Sequence, residues 1–161
     1  MKQGKPPAWL IPISLLIAFV LDNVEIPEGI AAFRPEFLML TVLLWTLLMP
    51  RSLGLITAWV VGLFMDVYYG TPMGQHALAY VLCAFFVIQF NEWLRNLQPV
   101  QQAILLLPVF ILYEFTLFWI DGVSGQSTDW LWRWAPALTT PLMWPLATTL
   151  LDRVSSPSRE E

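Results

Sequence analysis

Two ionisable side chains, Asp66 and His76, flank a short turn in the otherwise apolar stretch GLFMDVYYGTPMGQHALAY, residues 62–80. A carboxylate beside an imidazole can tie two elements together, move a proton or hold a ligand. The intervening GTPMG is rich in turn-forming residues and predicts a sharp reversal of the chain. We interpret the pair as a structural clamp between two helices, with a ligand or proton site as the alternative.

Asp66 needs a partner because it lies near the C-terminal end of its apolar run, where the helix dipole disfavours a negative charge. His76, Arg34 and Arg133 are the candidate partners on the same side of the protein. The sequence leaves the choice among them open.

A further ionisable group, Glu114, lies within a later apolar run. With Phe118 and Asp121 it follows i, i+4, i+7 spacing, so the three side chains share one helix face. A carboxylate at membrane depth is a functional-site hypothesis by default. The alternative is a protonated carboxyl, or one that is hydrogen-bonded to Ser, Thr or Trp on a facing helix.

Catalytic patterns are weak in this chain. GVSG at residues 122–125 matches the G-x-S-G of rhomboid intramembrane proteases, but Ser124 lies in a polar loop rather than at a helix start inside the membrane. One histidine and one cysteine cannot build a zinc or haem site, and the sequence contains no glycine-rich phosphate loop. We therefore predict a protein that is not an enzyme and that uses no metal or cofactor.

The composition indicates which solvent surrounds these groups. Of the 161 residues, 57% are hydrophobic and only 12% are charged, whereas a soluble domain carries about 25% charged residues. A lipid bilayer is therefore the expected solvent, and nine tryptophans fit a membrane interface. The formal net charge of −4, without a basic cluster, argues against nucleic acid as a partner.

Charged and turn-forming residues divide the chain into six apolar runs, which predict an all-α integral membrane protein. We expect one domain, residues 1–161, built as a bundle of about six transmembrane helices. A span needs about 17–25 residues, so the short first, second and fourth runs are expected either to recruit flanking residues, for example residues 30–33 before the second, or to lie in a locally thinned bilayer. The predicted spans lie near residues 9–21, 34–49, 53–69, 76–90, 102–120 and 134–151.

The positions of lysine and arginine predict the orientation. With a cytoplasmic N-terminus, six positive residues fall on the cytoplasmic side and two, Arg34 and Arg133, on the other side. This bias agrees with the positive-inside rule and makes both termini cytoplasmic. The six are Lys2, Lys5, Arg51, Arg95, Arg153 and Arg159.

Small residues recur every four positions in the third run, at Gly54, Ala58 and Gly62. Such a stripe allows another helix to approach closely within a membrane. It is either packed inside the bundle or a docking face for a partner's span. We favour the internal position, since a third helix between short hairpins is expected to be central.

Two segments carry a resemblance to a known family. In RPEFLMLTVLLWTLLMPRSLGLITAWVVGLFMDVYYGTPMGQHAL, residues 34–78, the shared features are Arg34-Pro35, Pro50-Arg51, Gly54, the Gly62…Asp66 pair, Gly70 and Gly74-Gln75-His76. LLLPVFILYEFTLFWIDGVSG, residues 105–125, is similar to a fifth span and the loop after it. Together the segments resemble the family of the rod-shape-determining protein MreD.

The resemblance implies a multi-pass protein of the bacterial inner (cytoplasmic) membrane without catalytic activity. It implies a scaffold that binds the bitopic membrane protein MreC and supports lateral peptidoglycan synthesis. MreB, RodA, RodZ and a class B penicillin-binding protein are the further partners that it implies.

The resemblance also implies a fold similar to the six-helix substrate-binding subunits of energy-coupling-factor vitamin transporters. That similarity supplies the alternative function, a small-molecule-binding membrane subunit of a transporter. The alternative predicts an outer cavity lined by Asp66, His76 and Glu114.

Reporter fusions test the predicted orientation. Fusions after Arg95 and after Arg153 should both report the cytoplasm in intact cells, because the positive-inside bias places both residues on the inner side. A periplasmic signal after Arg153 would overturn the six-span topology.

Overall fold

The computed structural model describes residues 7–125 and 132–155, and every regular element in these ranges is helical. The predicted all-α class is therefore confirmed for the described residues. Lys2, Lys5 and Arg159, which entered the prediction of orientation, lie outside them. The long helices are α1 (Leu10–Asp22), α3 (Phe37–Leu48), α5 (Leu55–Tyr69), α6 (Gln75–Gln89), α8 (Pro99–Val123) and α9 (Ala135–Ser155). The short ones are α2 (Glu28–Ala31), α4 (Pro50–Leu53), α7 (Asn91–Leu94) and a 3₁₀ turn (Trp132–Trp134).

The long helices begin and end within four residues of the predicted spans, and the starts of α3 and α5 differ from them for a reason that the backbone shows. Residues 34–36 are not helical, since Pro35 disfavours the α conformation of the residue before it. The expectation that residues 30–33 lengthen this run was wrong, because they belong to α2 and the turn after it. The third run is interrupted at Gly54, which separates α4 from α5. A Cβ at Gly54 would lie 2.5 Å from the carbonyl oxygen of Pro50.

The centre of the bundle is formed by α3 and α6. Helix α6 packs against α5, α8 and α3, while α3 packs against α1, α9 and α6. Large buried side chains fill the space between them, among them Leu43, Tyr80, Phe110 and Trp144. The expectation that α5 is central was wrong, because α5 packs mainly on α6 and leaves its other face open.

The outward faces of the bundle are apolar. Ile56 and Val67 on α5 are 80% and 69% exposed, and Leu142 on α9 is 71% exposed. By length and composition, α8 is the one helix of the described residues that could cross a membrane by itself, while α1, α3, α5 and α6 are apolar but shorter. The shorter helices would cross only with the help of adjoining segments or of a locally thinned bilayer.

Helix α5 lies close against α6 at Gly62. Ala58, one turn earlier, is fully buried, and a Cβ on Gly62 would lie only 2.4 Å from the Cα of Ala77. The small-residue stripe is therefore occupied within the bundle by α6. This close approach also brings the end of α5 within reach of the first turn of α6.

Gly62→Ala is expected to destabilise the protein by about 1–3 kcal/mol, as overpacking does in other proteins. The added methyl group would meet the backbone of α6, which cannot move without separating the two helices. Thermal unfolding in detergent, followed by circular dichroism, measures the effect.

Gly122→Ala is the matched control, since no atom lies within 4 Å of the Cβ that it would add to α8. Alanine favours a helix over glycine by about 1 kcal/mol, so this variant should be as stable as the parent or slightly more so. Equal unfolding midpoints for Gly62→Ala and the parent would contradict the close packing of α5 on α6.

Candidate functional site

The carboxylate of Asp66 lies buried at the start of α6, although Asp66 itself belongs to α5. Its side chain is 0% exposed. The backbone N–H groups of Gly74 and His76 donate to it at 2.8 and 2.7 Å, and that of Ala77 approaches at 3.4 Å. The first N–H groups of a helix have no partner inside that helix. Asp66 therefore pairs donors of α6 that would otherwise be buried without an acceptor.

This position also explains why a negative charge is favourable at Asp66. The residue lies in the last turn of α5, yet its carboxylate faces the N-terminus of α6, where the helix dipole favours a negative charge. Gly70 and Gly74 have φ angles of 65° and 101°, values that glycine adopts without strain. The two glycines allow the reversal that brings α5 and α6 together.

His76 is the side-chain partner of Asp66. Its Nδ1 lies 3.0 Å from Oδ1 of Asp66, and Oγ1 of Thr71 donates to the same oxygen at 3.1 Å. The imidazole also packs against the ring of Tyr69, with 5.6 Å between the ring centroids. Because Asp66 has more backbone than side-chain donors, its main structural role is to cap α6, and the imidazole adds to that role.

Asp22 repeats this arrangement at the preceding pair of helices. It is the last residue of α1, and its carboxylate accepts hydrogen bonds from the backbone N–H groups of Phe37 and Leu38, both at 2.8 Å. Asp22 thus caps α3 as Asp66 caps α6. Arg34, a predicted candidate partner of Asp66, instead donates to backbone carbonyl groups at and just after the end of α1.

An ion pair joins α6, α8 and the 3₁₀ turn at the same end of the bundle. Nη2 of Arg133 lies 2.6 Å from Oδ2 of Asp121, and Nε2 of Gln75 donates to Oδ1 of Asp121 at 2.6 Å. Arg133 is therefore engaged with Asp121 rather than with Asp66. We call this end of the bundle, with its two capping aspartates and this ion pair, the Asp66 end.

A cavity of about 490 Å³ opens at the Asp66 end. Glu114 lines it and is only 4% exposed. No hydrogen bond or ion-pair contact from the described residues reaches the Glu114 carboxyl. Arg133 acts on it electrostatically but is paired with Asp121. The charged lining residues are Asp22, Arg34, Glu36, Glu114 and Arg133.

The cavity differs from the one that the transporter alternative predicts. Glu114 lines it as expected, but Asp66 and His76 do not, because they face the α5–α6 turn. Arg34, singled out as a partner for Asp66, is a lining residue instead. The stripe of Gly54, Ala58 and Gly62 begins at the residue before α5 and continues along that helix. None of the three lines the cavity.

Several residues of this end were not identified as site residues from the sequence. Asp22 had a signal, since like Asp66 it ends an apolar run before a turn. Gln75 was noted only as part of the shared Gly74-Gln75-His76 segment, and its partner Asp121, which lies 46 residues away, could not be inferred. The backbone N–H of Glu36 donates to Oγ1 of Thr140, 104 residues away, at 3.0 Å. Contacts over such separations cannot be read from local patterns.

The arrangement supplies caps, an ion pair and a cavity rather than an activated nucleophile. Within residues 7–125 and 132–155, no group of three or more His, Cys, Asp or Glu side chains could hold a metal ion. Ser124 is exposed where α8 ends, and no hydrogen bond between described residues joins it to His76. The chemistry available here is recognition of charge.

Comparison with known proteins points to one family. The sequence model of the family described as rod shape-determining protein MreD matches residues 4–154. The Rod shape-determining protein MreD of Haemophilus influenzae is 26% identical over 148 residues, which cover 91% of either chain. The Cell shape-determining protein MreD of Streptococcus pneumoniae is 28% identical over 144 residues, covering 81% of this chain and 85% of the relative. No solved structure matches, so the similarity to energy-coupling-factor subunits has no support.

A double-mutant cycle tests the cap and its imidazole partner. Asp66→Ala should destabilise the protein by about 1–3 kcal/mol, the range for leaving buried donors without an acceptor. His76→Ala should cost less, since interhelical side-chain contacts in membranes average about 0.6 kcal/mol. The double variant should lose less than the sum of the two single losses. Strict additivity of the unfolding free energies would contradict the pairing.

Proposed function

The chain belongs to the MreD family of rod shape-determining proteins, and on that premise we propose that it is a non-enzymatic membrane scaffold of the bacterial cell-elongation complex. In this role it binds the membrane span of MreC and supports lateral peptidoglycan synthesis. MreB, RodA, RodZ and a class B penicillin-binding protein complete the proposed complex. The observation that carries the proposal is an open apolar groove between α1 and α9 on the surface of the all-helical bundle.

The proposed setting is the inner membrane, crossed several times, with both termini in the cytoplasm. The exposed apolar faces of α5, α8 and α9 support a lipid environment. The described positive residues support the orientation, since Arg51 lies in α4, Arg95 follows α7 and Arg153 lies at the end of α9. Arg34 and Arg133 belong to the Asp66 end, which would then face the periplasm.

The groove lies between α1 and α9, with α3 as its floor, and we call it the α1–α9 groove. Its volume is about 490 Å³ and its lining is almost wholly apolar. Ile17 of α1 and Leu146 of α9 form exposed walls, while Leu44 of α3 is a buried floor residue. Helix α5 offers no such concave surface with small residues, because its stripe is filled by α6.

Small side chains in the α1–α9 groove favour a helix as its occupant. Ser14, Ala18, Thr41 and Ala147 all line it, and small residues let helix backbones approach closely in a bilayer. The indole N–H of Trp45 donates to Oγ of Ser14 at 2.8 Å. Since this pair is already hydrogen-bonded, an apolar helix could cover it without leaving the indole N–H unpaired.

Cysteine cross-linking tests this binding mode. The native Cys83 is fully buried, so a single introduced cysteine would be the reactive one. Ile17→Cys and Leu146→Cys should each form a disulfide with cysteines placed along the span of co-expressed MreC. Val67→Cys, on the exposed face of α5, is the matched control and should remain unlinked.

Two results would contradict the proposal. Cross-links from Val67→Cys but from neither groove position would show that the partner's span binds α5 instead of the groove. Failure of MreC to cross-link or co-purify with any of these variants, in cells that keep a rod shape, would remove the scaffold role.

A further inference from the structure

The charges that line the cavity at the Asp66 end are not all balanced by one another. The Asp22 carboxylate is occupied by the backbone N–H groups of α3, and Arg34 donates to backbone carbonyl groups. Arg133 is paired with Asp121. Of the charged side chains that line the cavity, Glu36 and Glu114 therefore have no ion-pair contact with a described residue, although Arg34 acts electrostatically on Glu36 and Arg133 on Glu114.

Glu114 is the decisive group because it is both buried and unpaired. It is 4% exposed and lines the cavity, yet no hydrogen bond or ion-pair contact from the described residues reaches its carboxyl. Glu36 has one weak side-chain contact, from the hydroxyl of Tyr113 at 3.5 Å. The two carboxyls interact electrostatically. A single positive group between them would therefore lower the free-energy cost of burying both carboxylates.

Aromatic residues of the same cavity also favour a bound cation. Tyr69 and Trp132 line the same cavity and are both partly exposed. The faces of such rings attract an ammonium group. A divalent metal fits less well, because the described residues contain no group of three or more His, Cys, Asp or Glu suited to hold one.

We propose that this cavity binds a primary ammonium group between Glu36 and Glu114. A primary ammonium has three N–H donors and can therefore donate to two carboxyl groups at once, whereas a quaternary ammonium has none. Two sources present this group at a membrane surface, the headgroup of an aminophospholipid and a free small amine. The site is independent of the α1–α9 groove, so its occupancy can be measured whether or not the scaffold proposal holds.

Thermal unfolding in nanodiscs tests the site with ethanolamine as the free probe. In phosphatidylcholine nanodiscs, ethanolamine should raise the unfolding midpoint through mass action, and tetramethylammonium at equal ionic strength, which has no N–H donor, should raise it less. Loss of a charge-assisted hydrogen bond weakens binding by about ten- to a hundredfold. Glu114→Gln and Glu36→Gln should each show that loss, because each removes one charge at nearly constant shape.

Glu25→Gln is the matched control, since Glu25 is exposed and does not line the cavity. It should respond to ethanolamine as the parent protein does. Use of two cavity variants keeps the test valid should one of them fail to fold.

Nanodiscs made with phosphatidylethanolamine separate the two sources. If the lipid headgroup is the ligand, these discs raise the midpoint of the parent and of Glu25→Gln, and added ethanolamine has little further effect. If a free amine is the ligand, the two lipids give equal midpoints and ethanolamine acts in both.

Two results would overturn the proposal. The first is a parent protein that responds to neither source beyond its response to tetramethylammonium. The second is a response that survives undiminished in both Glu114→Gln and Glu36→Gln. Either result would mean that the two carboxyls are stabilised without an ammonium ligand.

Discussion

The structure depends on two buried carboxylates that pair the first N–H groups of the central helices. The chain has few polar groups, and these N–H donors cannot form hydrogen bonds with water. Leaving a buried N–H unpaired costs free energy. Asp22 supplies the acceptor for α3 and Asp66 supplies it for α6. In both cases the acceptor comes from the end of a preceding long helix. Each carboxylate therefore joins two helices and fixes where the second one begins.

These caps determine the shape of the Asp66 end. Because Asp66 holds the start of α6 against the end of α5, Gln75 is placed where it can donate to Asp121 of α8. That contact and the Arg133–Asp121 ion pair draw α8 and the 3₁₀ turn to the same end. The cavity with Glu114 is the space that remains between these helix ends. The other surface of interest, the α1–α9 groove, exists because α1 packs mainly on α3 and leaves room beside α9.

Local features of this protein were predictable from its sequence and distant ones were not. The Asp66–His76 pair spans ten residues across one turn, so the turn residues alone bring it together. The positions of the long helices followed from apolar runs interrupted by charged and turn-forming residues. Which helices lie at the centre did not follow, because a helix that is apolar on all sides has no periodic pattern to mark its buried face. Helices α3 and α5 begin later in the chain than predicted. Pro35 and Gly54 cause this, because their effects on the backbone are stronger than hydrophobicity.

Amide hydrogen exchange at the start of α6 tests the central claim most directly, namely that the Asp66 carboxylate occupies the first N–H groups of this helix. The amides of Gly74 and His76 should be protected in the parent protein and should lose that protection in Asp66→Ala. The amides of Phe37 and Leu38, which Asp22 caps, should remain protected in the same variant. Protection at Gly74 and His76 that survives the loss of Asp66, or that is absent from the parent, would contradict the account.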